Sequence, residues 1–149
     1  MAIPPPPGAF AIINSVPDPA TGIGLAVQFN PNPPIGAPLT VAPFDAGNPA
    51  QHWRFNPAAP PPAATVVPVL DPAAQAIALG ALVAAAVVAV PVPWTLNALG
   101  PLAGVTIQEF NPPGNVWNLV QPAPGTPVGL NLPNPGNQLQ RWILLPVGP

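Results

Sequence analysis

The chain has no cysteine, no lysine and no tyrosine, and among its 149 residues only two arginines, one histidine and four acidic side chains are found. Each absence closes off a class of function. Without cysteine there is no disulfide, no thiolate nucleophile and no zinc–thiolate site. A formal net charge of −2, with 4% charged residues against the roughly 25% of an ordinary soluble domain, cannot build the basic field that nucleic acid or an anionic membrane surface requires. The carboxylates Asp18, Asp45, Asp71 and Glu109 are scattered, Ser15 is the only serine, and His52 is the only histidine. General acid–base chemistry needs such groups within hydrogen-bond reach of one another, and no spacing here suggests a pair or a triad. Neither a metal-ligating cluster, an oxygen-rich loop nor a glycine-rich phosphate loop is present. The expectation is a non-enzyme with no cofactor and no metal.

What the chain has is apolar: 49% hydrophobic residues and 30 prolines. The longest apolar run, residues 76–92, is rich in alanine and β-branched valine, is interrupted by Gly80, and ends at Pro91 and Pro93. That composition favours strands over a membrane helix. Residues 1–7 have neither a basic segment nor a continuous apolar core, so no secretory signal is read there and a cytoplasmic setting is compatible. Its four consecutive prolines read as a short polyproline lead-in or edge cover.

The organising feature is an echo. Gln51-His52-Trp53 returns as Gln140-Arg141-Trp142 and, more faintly, as Val92-Pro93-Trp94; the tryptophans are 41 and 48 residues apart. Such a period signals repeated supersecondary units. Between turn clusters of Pro, Gly, Asn and Asp, the first repeat offers strands at residues 10–14, 23–29, 38–44 and 51–55. The second offers 65–70, 75–79, 84–90 and 94–96, and the third 105–110, 115–120, 126–130 and 140–145. The reading is all-β: a twelve-stranded β-trefoil in three pseudo-symmetric repeats (about 9–56, 63–97 and 104–146), forming a single domain over residues 1–149. Trp53, Trp94 and Trp142 should point inward as a threefold core layer. His52 should point outward, and Arg54 and Arg141, as matching neighbours of the first and third tryptophans, should also face outward and serve solubility.

Two families resemble this pattern. The Gln-x-Trp endings are similar to the repeat mark of ricin-B-type β-trefoil lectins, whose sugar sites use an aspartate on the second strand and an aromatic platform on the third. Here residues 24–27 read Gly-Leu-Ala-Val, without the aspartate, and Thr40-Val41-Ala42 supplies no platform. In the third repeat Trp117 and Asn118 offer an alternative sugar site, the ring to stack on a sugar face and the amide to bond its hydroxyls. Residues 37–44 leading to Gln51-His52-Trp53, with the long loop 16–22, resemble the mushroom protease inhibitors of the mycocypin and mycospin type. That resemblance implies a loop entering the cleft of a serine- or cysteine-class protease. Asn30, Pro31, Asn32 and Pro33 form a proline-stiffened segment suited to that role, because a pre-ordered loop loses little freedom on binding. The functional expectation is therefore loop-mediated protease inhibition; the alternative is a carbohydrate-binding lectin or a lectin-like subunit of an enzyme complex.

Overall fold

The computed structural model describes residues 2–30, 38–100 and 104–147. A two-residue strand, β1 (Ala2–Ile3), comes first. The first third then contributes β2 (Ala9–Asn14), β3 (Leu25–Gln28), β4 (Thr40–Pro43) and β5 (Trp53–Pro57). The middle third contributes β6 (Ala64–Pro68), β7 (Gln75–Leu79), β8 (Leu82–Ala86) and β9 (Trp94–Ala98). The last contributes β10 (Val105–Glu109), β11 (Val116–Leu119), β12 (Val128–Asn131) and β13 (Trp142–Pro146). No helix among the described residues is long and apolar enough to cross a membrane.

Six of these strands close on themselves. β2 pairs with β5 and β13, β6 with β5 and β9, and β10 with β9 and β13, all antiparallel. Six further strands form three antiparallel pairs, β3–β4, β7–β8 and β11–β12, one from each third. They meet one another through the β8–β12 pairing and bridges from Pro38 to Ala84 and from Thr40 to Pro127. Closing the barrel removes the open edges that apolar strands otherwise present to other chains.

The core follows from the alternation of side chains along each strand. Trp53, Trp94 and Trp142 are fully buried, one at the start of the last strand of each third. Each indole N–H donates to a backbone carbonyl of its own third's second strand: Trp53 to Val27 at 3.0 Å, Trp94 to Ala76 at 3.0 Å and Trp142 to Trp117 at 3.1 Å. The apolar ring is thus buried while its one polar atom is satisfied. The inward tryptophan layer expected from the sequence is present. Gly104 is held at φ +81°, and a Cβ there would lie 2.5 Å from the Trp142 carbonyl oxygen, so only glycine lets the chain enter β10 this close to the layer.

Three local features differ from the sequence reading. The strand expected at 84–90 is β8, Leu82–Ala86, entered through Gly80 at φ +61° in a tight turn. Residues 87–90 leave the sheet and are exposed, because the Gln75 amide bonds Val90 O (3.1 Å) and Val92 N–H (2.7 Å) and pulls the chain aside. Gln51 and Gln140, expected within strands, belong to short 3-10 turns, Pro49–Gln51 and Gln138–Gln140. At the N-terminus, residues 2 and 3, where no strand is expected, add one to β9, with Ile3 packed on the core.

Candidate functional site

The first and last thirds share a nine-residue turn that the Gln-x-Trp echo only hints at. Asp45-Ala46-Gly47-Asn48-Pro49-Ala50-Gln51-His52-Trp53 corresponds, position by position, to Asn134-Pro135-Gly136-Asn137-Gln138-Leu139-Gln140-Arg141-Trp142. Each polar position has the same task in both copies. The side-chain oxygen of residue one accepts from the glycine N–H, at 3.0 Å for Asp45 and 3.2 Å for Asn134. Asn48 and Asn137 cap the 3-10 turns, accepting from Ala50 and Leu139 N–H at 3.0 Å each.

The glutamine of each Gln-x-Trp is a clamp. Gln51 is 1% exposed and Gln140 2%. Gln51 accepts from Asp45 N–H at 2.9 Å and donates to Pro43 O at 3.0 Å; Gln140 accepts from Asn134 N–H at 2.8 Å and donates to Leu132 O at 2.9 Å. A buried carboxamide with donor and acceptor both paired fixes the loop before the tryptophan strand.

Above each clamp lies a half-buried pair of amides. The cap residue donates across to the second strand: Asn48 Nδ2 to Gln28 Oε1 and Asn137 Nδ2 to Asn118 Oδ1, both at 3.4 Å. Gln51 adds a 3.2 Å bond to the same Gln28 oxygen. The NH2 groups of Gln28 and Asn118 make no hydrogen bond among the described residues. Two polar clusters therefore sit at corresponding places on the barrel, each rigid below and offering unused donors above. The middle third has no such cluster; Pro93 stands where His52 and Arg141 stand, and Gln75 clamps the chain from the second strand instead.

The structure separates the two residues of the expected alternative sugar site. Neighbours on a strand face opposite sides, and while Asn118 joins the third-repeat cluster, Trp117 is 0% exposed, edge-on to Trp94 (centroids 5.6 Å) and to Trp142 (6.2 Å). Trp117 offers no ring face to a ligand at the surface. Of the expected protease loop, Asn30 is exposed and follows Phe29, whose N–H bonds Ala50 O at 2.8 Å in the first cluster's turn. Pro31, Asn32 and Pro33 lie outside the described residues.

His52 is half-buried, with Nε2 2.9 Å from Ala46 O. Its counterpart is Arg141, whose Nη2 donates to Pro135 O at 2.7 Å, so Arg141 and the exposed Arg54 do not occupy matching positions. Among the described residues no three His, Cys, Asp or Glu side chains gather to hold a metal.

No protein-family model matches the chain. No curated protein matches it either. Solved structures do. The Rhizoctonia solani agglutinin superposes with a TM-score of 0.72 at 19% identity, covering 98% of this chain and 99% of its own. The designed 3-fold symmetric protein ThreeFoil gives 0.69 at 14% identity over 93% and 99%. The Macrolepiota procera ricin B-like lectin, solved in complex with lactose, gives 0.67 at 16% identity over 93% and 94%. The chain thus has the fold of ricin B-like lectins.

Proposed function

We propose that this protein is a carbohydrate-binding β-trefoil, built from three four-stranded repeats with β1 as a thirteenth strand, and that it binds sugars through the two amide clusters at Gln28–Asn48 and Asn118–Asn137. It carries out no chemistry on its ligand. The observation that carries the reading is the duplication: two distant segments build the same capped turn, and each leaves a second-strand carboxamide NH2 without a partner. Sugar hydroxyls donate and accept, and an uncharged carboxamide does both. A rigid turn beneath them reduces the ordering cost of binding. The lectin fold likeness supports the same reading, including the lactose complex of the Macrolepiota protein.

This reading favours the glycan partner over the protease. None of the fold relatives above is a protease inhibitor by name, and the described part of the proposed inhibitory segment is Asn30 alone. A glycan array probed with the full chain tests the proposal. Binding to neutral, galactose- or glucose-containing glycans is expected, and it should weaken in Gln28→Ala and Asn118→Ala variants of unchanged thermal midpoint. An array with no signal from the unaltered protein would remove the reading.

A further inference from the structure

The turn that carries Asn137 and Gln140 has a second side. There it borders a pocket of about 180 Å³ whose opposite wall is formed by Asn97, Thr106 and Gln108. The volume is below the roughly 300–1,000 Å³ of drug-sized sites and suits one small ring or acid. Among the described residues Arg141 is the only charged side chain lining it, and no carboxylate does.

Arg141 is incompletely satisfied. Its Nη2 is tied to Pro135 O, which holds the guanidinium in place, while its Nε is buried with no partner among the described residues. A guanidinium is a permanent cation whose donors form a planar fork matched to carboxylates. The wall opposite is preset as well: Asn97 Nδ2 donates to Gln108 Oε1 at 2.9 Å and Gln108 Nε2 to Gly114 O at 2.8 Å. Asn97 Oδ1 and the Thr106 hydroxyl make no hydrogen bond among the described residues.

Strand register gives the corresponding positions at the other two seams of the barrel. Gln108 lies opposite Val116 as Ile13 lies opposite Ala26, and both precede the carbonyl-bearing residues Trp117 and Val27. By the same register, Thr106 and Asn97 correspond to the paired Ala11 and Leu145. Where the last and first thirds meet, the corresponding residues are Ile13, Ala11 and Leu145, with His52 for Arg141; where the first and middle thirds meet they are Val67, Thr65 and Asn56, with Pro93 for Arg141, so Gln108 and Arg141 are what set this pocket apart. Folding the barrel does not require them.

We propose that this pocket binds an acidic sugar, with Arg141 pairing to the carboxylate of a uronic acid and the Asn97, Thr106 and Gln108 wall taking its ring hydroxyls. The proposal rests on the glycan-binding reading and names a ligand class and a place that reading does not. Titrating the full chain with galacturonate, galactose, lactose and acetate at fixed ionic strength tests it. Galacturonate is expected to bind roughly ten-fold or more tighter than galactose, the size of one charge-assisted contact, and to weaken as salt rises. Arg141→Gln should abolish that preference and its salt dependence. Gln108→Ile, which copies the first third and leaves the turn untouched, should weaken galacturonate binding with the thermal midpoint preserved. A preference that survives Arg141→Gln, or acetate binding as well as galacturonate, would overturn the proposal. Lactose binding without any galacturonate advantage overturns the pocket alone. Arg141-dependent galacturonate binding with no response to lactose supports the pocket and overturns the two amide clusters, and no binding of any sugar overturns both.

Discussion

The middle third of the barrel and the two thirds that flank it solve the same packing problem with different surfaces. All three bury a tryptophan and pair its indole N–H with a carbonyl on the second strand. Only the flanking thirds add the Asn-capped 3-10 turn and the buried glutamine clamp. The middle third restrains the corresponding chain through Gln75, from the second strand, and leaves residues 87–90 exposed. A feature the barrel needs recurs three times, and one that recurs twice is not required for closure. The capped turns are therefore where binding is to be sought.

The largest effects should come from what the three thirds share. Trp53→Ala, Trp94→Ala and Trp142→Ala are each expected to cost about 3–5 kcal/mol of unfolding free energy, read from denaturant titrations. A tryptophan in one third that proves dispensable would break the equivalence. Smaller losses should follow from the clamps. Gln51→Leu and Gln140→Leu each strand a backbone N–H and a carbonyl, and about 1–3 kcal/mol is expected for each variant. Gln75→Leu should cost less, because its bond to Val90 is already exposed to water, which can replace it. The smallest effect separates the fourth tryptophan from the other three. The Trp117 N–H is buried without a partner among the described residues, so Trp117→Phe should be milder than Trp94→Phe by about 1 kcal/mol, since Trp94→Phe also leaves Ala76 O unpaired. Thermal midpoints of the two variants decide it.

Much of this architecture was legible in the sequence, because burial leaves a strong mark. The repeated Trp, the period-two alternation and the Pro/Asn/Gly breaks locate most strands, and β7 falls on residues 75–79 as read. β8 was harder to place, since an Ala/Val run carries no alternation and only the Gln75 bonds decide where the chain leaves the sheet. The clusters were less legible. Asn48 and Asn137 act through a cap, and Gln28 and Asn118 meet them only because the fold brings β3 and β11 beside turns about twenty residues away in sequence. Extending the Gln-x-Trp echo upstream to Asp/Asn-x-Gly-Asn-x-x-Gln-x-Trp would have exposed the capped turns. The sequence offers Trp117 as a stacking platform, but its indole belongs to the core. The sequence sets Arg141 before its tryptophan and Arg54 after its own, and the pocket is what gives that difference a consequence.

The central claim, that two equivalent amide clusters bind sugar and the middle third does not, is tested most directly by calorimetric titration of the full chain with lactose. Two binding equivalents are predicted for the unaltered protein, one each for Gln28→Ala and Asn118→Ala, and none for the double variant. A third equivalent, or binding that persists in the double variant with its fold intact, would contradict the account.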